Sequence, residues 1–283
     1  MLSFDSKPVA IAVIHLPNLR RIAFEKRVDD LVRYIENEVR IVAEAGFDGV
    51  VIENFNDKPY GKRVRDPEIL GLASIALYVA RKNFDGLLGL SLLRCSAVEA
   101  YRIAYAMGAD FVRVNTLVET IATDSGLIEP TAPELAELRI FMPGLKIFAD
   151  VLCKHSGSLD LLLRFVTNLA TNRGDWATIL RETIIEIVKD LTERGCADAI
   201  IVTGGRTGEP PSLDLVKLVR EATSLPLIVG SGATPENVEK YLRYADGVIV
   251  GSYIKKDGRA GNPTDPERAR KFMEKIKKLK RSS

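Results

Sequence analysis

"YADGVIVGS", residues 244–252, is a corner. A helix runs out, Asp246 sits in a tight turn, and a short Val/Ile strand follows and ends in Gly251-Ser252. The same design occurs three more times, as "AGFDGVVIEN" (45–54), "MGADFVRVN" (107–115) and "GCADAIIVTG" (195–204). A helix-to-strand corner that recurs along a chain is the trace of a repeated βα unit. Working outward from these four copies, strands are expected at 8–16, 49–54, 86–93, 110–115, 145–153, 199–204, 226–231 and 247–252. Each is a nearly unbroken run of Val, Ile and Leu, as expected of parallel strands buried on both faces.

Amphipathic stretches separate them. In "VDDLVRYIENEVRIVAEAG" (28–46), Val28, Leu31, Val32, Ile35, Val39 and Val42 fall on one helical stripe, and Gly46 is the stop. Asp66-Pro67-Glu68, Thr234-Pro235-Glu236 and Asp265-Pro266-Glu267 read as helix starts: a capping side chain, Pro at the first position, and a carboxylate facing the positive end of the helix dipole. Eight strands alternating with eight helices in 283 residues suit an α/β (β/α)8 TIM barrel, for which about 250 residues is typical. The rival, an open doubly wound sheet, carries a glycine fingerprint after its first strand. Here that strand ends in His15-Leu16-Pro17. One barrel domain over 1–283 is therefore expected. At about 156–176 a helical insertion, with Leu159, Leu162, Leu163, Val166 and Leu169 at helical spacing, rises from the face where strands end. It reads as a lid, a subunit contact, or simple surface packing.

Composition excludes several classes. Forty Lys and Arg are interspersed with 38 Asp and Glu, for a formal charge of +2. That balance leaves no nucleic-acid surface, and the basic end "KKLKRSS" (277–283) reads as a solvated helix terminus. Cys95, Cys153 and Cys196 lie far apart and read as small buried hydrophobes in a reducing compartment. With no spanning apolar run and no signal-peptide pattern, a cytoplasmic protein is expected. The chain contains no glutamine, a thermophile-like bias.

Barrel sites form where the strands end. The last two strands end in Gly230-Ser231-Gly232 and Gly251-Ser252. Bare backbone amides there make a cradle for a phosphate. Glu53 and Arg113 interrupt apolar strands, and Asn115 shares the face of Arg113. Charges are tolerated in the lumen near its open end, and strands two and four contribute to the same layers, so Glu53 and Arg113 are expected to meet. That pair reads equally as a structural plug and as a substrate-orienting group, with Asn54 beside it and Thr203 closing strand six. Strand five carries Asp150, then Lys154 and His155. With His15, the only other histidine, these are the acid–base candidates. Arg206 in "TGGRTGEPPS" and the loop "TDSGLIEP" (123–130) complete the rim. Asp150, Glu53 and Asp124 are the carboxylates that would hold Mg²⁺ beside a substrate phosphate, although no ligand spacing singles the ion out. The cofactor is left open.

Taken in order, "VIHLP" (13–17), "AGFDGVVIENFNDKPY" (45–60), "GADFVRVN" (108–115), "TDSGLIEP" (123–130), "KIFADVLCKH" (146–155), "ADAIIVTGGRTGEPP" (197–211), "LIVGSGATPENV" (227–238) and "ADGVIVGSYIKKDG" (245–258) resemble the BtpA/SgcQ family over nearly the whole chain. The resemblance implies a TIM barrel of the ribulose-phosphate-binding type. It also implies a choice between two functions. One is an enzyme acting on a small phosphorylated metabolite, a phosphosugar or nucleotide-related compound. The other is a non-catalytic assembly or stability factor for a membrane complex, of the photosystem I biogenesis kind, with peripheral membrane association through the basic end. A homo-oligomer is expected in either case. The insertion at 156–176 and the bulky run "TLVETIATDSG" (116–126) depart from the family pattern.

Overall fold

The structure, a computed structural model, describes residues 8–171 and 174–282. Outside this range fall the first residues of the N-terminal stretch, two residues of the 156–176 insertion, and the final residue of the basic end. In chain order the first half comprises β1 (Val9–His15), α1 (Leu19–Glu25), α2 (Val28–Ala45), β2 (Gly49–Glu53), α3 (Pro67–Asn83), β3 (Leu87–Ser91), α4 (Ala97–Ala106), β4 (Phe111–Val114), β5 (Ile121–Thr123), β6 (Gly126–Ile128) and α5 (Ala132–Phe141). The second half comprises β7 (Lys146–Val151), β8 (Gly157–Ser158), α6 (Leu159–Thr171), α7 (Trp176–Lys189), β9 (Ala199–Val202), α8 (Leu213–Ala222), β10 (Leu227–Val229), α9 (Val238–Leu242), β11 (Gly247–Val250) and α10 (Pro266–Ser282).

The strands β1, β2, β3, β4, β7, β9, β10 and β11 close into one parallel barrel in that order. These are the eight predicted strands. Helices α2, α3, α4, α5, α7, α8, α9 and α10 surround them. The predicted stripe on α2 is the buried one, and Gly46 ends the helix in the left-handed region at φ 88°.

The repeated Asp corners have one structural cause. Asp48, Asp110, Asp198 and Asp246 each accept a backbone N–H from the first two residues of the preceding barrel strand, at Ala10 (2.8 Å), Leu88 (2.9 Å), Ile147 (2.9 Å) and Leu227 (2.7 Å). Each carboxylate is also gripped by a cation from the helix leading into that strand: Arg81 for Asp110, Arg139 for Asp198 and Arg220 for Asp246. The fourth cation is Lys280 of α10, the helix that precedes β1 around the closed circle. The echo falls on alternate strands because one carboxylate ties two strands together. Lys280 of the basic end is therefore a structural residue, and Phe272, Met273 and Ile276 of the same helix are buried.

Three expectations are corrected. Thr234 does not cap a helix. Residues 234–237 form a turn in which the Asn237 side chain accepts the Thr234 amide, and α9 begins only at Val238. Cys196 is exposed and Cys95 half-buried, so Cys153 is the one buried thiol. Cys196 sits in the turn at the barrel's base, at φ 54°, where its carbonyl accepts from Arg139. The run 116–126 is no plain loop either. β5 and β6 form a hairpin, and β8 pairs with β5 to make a small antiparallel sheet over β4 and β7. The insertion then continues as α6, no residue of which is buried.

Alternation along the strands sorts the lumen. Val9, Ile11, Val13, Val51, Phe111, Phe148, Ala199, Ile201, Ile228 and Ile249 make a dry inner core. Gly89 makes room for this layer, since a Cβ there would stand 2.3 Å from the Phe111 ring, which stacks on Phe148 at 4.4 Å. One layer further towards the strand C-termini the inward positions become His15, Glu53, Ser91, Arg113, Asp150 and Thr203, with Gly230 and Gly251. The site is built on that layer.

Candidate functional site

Arg113 is the centre of the polar layer. It is 3% exposed. Its Nε donates to Asp150 Oδ1 at 3.0 Å and its Nη2 to Oδ2 at 3.1 Å, a two-pronged pair matched to the guanidinium's shape. Asn115 Nδ2 donates to the same Oδ2 at 2.9 Å. On the other side Nη1 stands 3.8 Å from Glu53 Oε2, and Glu53 Oε1 stands 3.9 Å from His15 Nε2. The predicted meeting of Glu53 and Arg113 is therefore seen, with His15 and Asp150 at the two ends of the chain of charges. Burial disfavours the guanidinium's charge, but the two carboxylates outweigh it and push the Arg113 pKa upward.

His15 is 4% exposed and packs on Phe55 with ring centroids 4.5 Å apart. Its Nδ1 accepts the amide of Gly261 at 3.1 Å, which places the neutral ring's proton on Nε2, facing Glu53. Burial, and then the cations Lys255, Lys154, Lys58 and Arg113, hold its pKa well below the ordinary value. The loop carrying Gly261 is pinned from below by a fully buried pair. Lys255 Nζ donates to Glu38 at 3.1 Å and to Thr264 at 2.7 Å, and Thr264 bonds both Glu38 oxygens.

Two neighbouring spaces open above this layer. The larger, about 670 Å³, is lined by Glu53, Phe55, Tyr60, Asn115, Cys153 and Lys154, with Lys58, Arg94, Asp124, His155 and Thr207 around them. The second is a slot of about 20 Å³ between β10 and β11, lined by His15, Glu53, Arg113, Lys154, Thr207, Gly208 and all five predicted cradle residues, Gly230, Ser231, Gly232, Gly251 and Ser252. Glu53, Phe55, Lys154 and Thr207 belong to both.

The cradle is only partly open. The Gly230 amide is occupied by the Val202 carbonyl at 2.8 Å. The Ser231 hydroxyl donates to the Glu209 carbonyl at 2.7 Å and accepts the Gly204 amide at 3.0 Å. Among the described residues, the amides of Ser231, Gly232, Gly251 and Ser252 have no such partner. Packing explains the absence of side chains at two positions: a Cβ on Gly230 would meet Ile201 at 2.3 Å, and one on Gly232 would meet Pro210 at 2.2 Å. Gly251 is different, since its nearest neighbours, His15 and Val13, would stand 3.4–3.5 Å away. A volume near 20 Å³ holds about one water. The loop 204–211 roofs the slot, with Gly208 resting beside Ser252. On the loop's outer side an open groove of about 590 Å³ runs past Gly232, Ser252, Arg259 and Arg268. Thr207, Gly208, Gly232 and Ser252 line both groove and slot.

Asp150, proposed from the sequence as a proton carrier, is 1% exposed and reaches neither space. Both its oxygens are occupied by Arg113 and Asn115, so the geometry assigns it to holding Arg113. Asn54 points away from the lumen, where its Oδ1 accepts the Leu93 amide at 2.9 Å. Thr203 is buried in the lumen, and its hydroxyl has no partner among the described residues. His155 sits exposed at the cavity rim at φ 57°. Its Nε2 accepts the Thr207 amide at 3.0 Å, tying the loop after β7 to the loop after β9. Asp124 pairs with Arg94 on the outer wall. Asp150, Glu53 and Asp124 therefore do not converge, and among the described residues no group of three His, Cys, Asp or Glu is placed to hold a metal. Sequence reasoning missed the wall built by "NFNDKPY" (54–60). There Phe55 packs against His15 in a tilted contact, Lys58 lies 3.9 Å over the Phe55 ring, and Arg94 lies over Tyr60. The aromatic and basic residues crowded just past a strand's end were the available signal.

A family model described as "BtpA family" matches residues 5–278. An uncharacterized protein of Thermococcus kodakarensis is 38% identical, covering 100% of both chains. The "Photosystem I biogenesis protein BtpA" of Synechocystis is 34% identical, over 96% of this chain and 89% of its own. Among solved structures, (S)-3-O-geranylgeranylglyceryl phosphate synthase from Thermoplasma acidophilum superposes with a TM-score of 0.58 at 14% identity, covering 97% of this chain and 95% of that one. N-(5'-phosphoribosyl)anthranilate isomerase from Pyrococcus furiosus gives 0.55 at 14%, covering 96% and 99%. These likenesses show the TIM-barrel fold.

Proposed function

This chain belongs to the BtpA family, and from that premise we propose that it is an enzyme acting on a small phosphorylated metabolite, a phosphosugar or nucleotide-related compound, by proton transfer. One observation carries the reading: the slot at the amides closing β10 and β11, with Arg113 in its wall, shares Glu53, Phe55, Lys154 and Thr207 with a 670 Å³ cavity that Asn115 also lines. The phosphate seats on the amides of Gly232, Gly251 and Ser252 once the loop 204–211 lifts. Two N–H groups of Arg113 are fixed on Asp150, and the remaining face of its guanidinium adds positive charge from below. The substrate body lies in the cavity against Phe55 and Tyr60. His15 delivers a proton from Nε2, and Glu53 is the carboxylate placed to receive one. The (S)-3-O-geranylgeranylglyceryl phosphate synthase, whose structure is a complex with sn-glycerol-1-phosphate, has the same fold, which supports the reading at the level of the fold. A thermal-shift screen with inorganic phosphate, phosphosugars and nucleotides tests it. Stabilisation by phosphorylated compounds that inorganic phosphate competes away is expected, and no stabilisation by any of them refutes it.

A second reading, an assembly factor for a membrane complex, is favoured by the name of the Synechocystis relative and by α6. Leu162, Leu163, Val166 and Leu169 of that helix are exposed, without a charge among them. Among the described residues no helix is long and apolar enough to cross a membrane. The same face suits self-association, because an uncharged apolar stripe meets its own copy without repulsion. We assign it to a homo-oligomer.

A further inference from the structure

Lys154 is the one cation that lines both the cavity and the slot without any carboxylate of its own. The two acids nearest the layer, Glu53 and Asp150, are ordered around Arg113 instead. Among the described residues the Lys154 ammonium has no ion pair and no side-chain hydrogen bond, whereas the fully buried Lys255 and the half-buried Lys280 are paired with Glu38 and Asp48. A lysine retained for charge or packing is normally tied down in that way. Lys154 is instead half-buried, faces the space where a substrate body would lie, and stands at its junction with the anion slot.

We propose that Lys154 forms an imine with the substrate, which makes the substrate class a phosphorylated aldehyde or ketone. The inference rests on the phosphate reading above and deepens it. Burial and then the positive charge of Arg113 lower the Lys154 pKa, so more of the amine is neutral and nucleophilic near neutrality. The neutral Nζ attacks the carbonyl carbon. The N–C bond forms as the C=O π pair moves onto oxygen, which takes up a proton while the nitrogen gives one up, leaving a carbinolamine. A second proton on that oxygen releases it as water, and the nitrogen lone pair closes the C=N bond. His15, with its proton on Nε2 and its ring on the slot wall, is placed to supply the proton that departs with water. The protonated imine withdraws electrons from the adjacent carbon, so a C–H or C–C bond there is cleaved with its electron pair moving towards nitrogen. Glu53 is on hand for the proton.

The test is borohydride trapping on the full chain. The protein is incubated with dihydroxyacetone phosphate, ribose 5-phosphate or unphosphorylated dihydroxyacetone, reduced, and mapped by peptide mass. Stoichiometric modification at Lys154 by a phosphorylated carbonyl, lost in Lys154→Met and in the charge-preserving Lys154→Arg, is expected. Both variants are first checked for wild-type melting. Label spread over surface lysines and unchanged in the variants overturns the proposal. So does an absence of label while inorganic phosphate still raises the melting temperature, and in that case the phosphate reading survives alone. Equal trapping of phosphorylated and unphosphorylated ketone at Lys154 supports the imine and instead removes the phosphate reading.

Discussion

Replacing Arg113 by methionine removes the one cation between two buried carboxylates. The magnitude follows from the geometry. At an effective dielectric constant of about 20, unit charges at the Nε–Oδ1 distance of 3.0 Å attract by ~5.5 kcal/mol, and at the 3.8 Å separation from Glu53 by ~4.4 kcal/mol. Desolvation of the guanidinium offsets several kcal/mol of this, so Arg113→Met is expected to cost about 3–5 kcal/mol, the range for stranding a buried charge. Asp150→Leu should cost a similar amount, since it leaves the guanidinium with a single distant partner. The double variant removes both charges and is expected to recover to within ~1–2 kcal/mol of wild type. The cycle then yields a coupling of about 4–9 kcal/mol, the two single costs less that of the double variant. Urea unfolding followed by circular dichroism measures all four proteins. The folded double variant, assayed by isothermal titration with inorganic phosphate, separates structure from recognition, and weaker binding is expected. If Arg113→Met costs less than about 1 kcal/mol, the pair is not buried as described. If the double variant binds phosphate as wild type does, Arg113 has no part in the anion site.

Other outcomes follow from the same structure. The His15 pKa is lowered in the folded chain, so below its unfolded value of about 6.5 the unfolded state binds the extra proton, and wild type should lose up to ~1.4 kcal/mol per pH unit as pH falls through that window. His15→Asn, compared by urea unfolding from pH 7 to 5, should lack that slope, and identical slopes would refute the assignment. Gly251→Ala fits the fold, with neighbours 3.4–3.5 Å from its new methyl, but narrows the slot. It should keep its melting temperature and lose phosphate binding, whereas Gly230→Ala should destabilise the barrel outright because its methyl meets Ile201. Phe272→Ala, deep under the basic end, should cost about 3–5 kcal/mol by urea unfolding. Cutting the chain after Lys271 should therefore unfold it rather than merely release it from membranes. Leu162→Glu with Val166→Glu should convert an oligomer to monomer in light scattering, with melting unchanged; an oligomer that survives places the interface elsewhere.

Much of the barrel was readable because its determinants are local. Strand positions follow from short Val/Ile runs, and the four Asp corners mark every second strand because each carboxylate reaches an amide at the start of the strand beside it. Glu53, Arg113 and Asn115 could be placed in the lumen from alternation alone, since a charge on the helix-facing side would be stranded in apolar packing. Other features were hidden because they depend on distant segments meeting. No local pattern says that Asp150 has both oxygens occupied by Arg113 and Asn115, or that the Ser231 hydroxyl is taken by Glu209. The hairpin β5–β6 was missed because its third strand, β8, comes from the far side of β7. Sequence by itself thus determined the number, order and facing of the barrel strands, through periodicity and the cost of burying charge. Only the tertiary structure decided which polar groups remain unoccupied, because hydrogen-bond capacity is used up by whichever neighbours the fold brings within 3 Å. That distinction separates Lys154, whose ammonium has no hydrogen-bond partner among the described residues, from Asp150, four residues earlier in sequence, whose carboxylate is taken by Arg113 and Asn115.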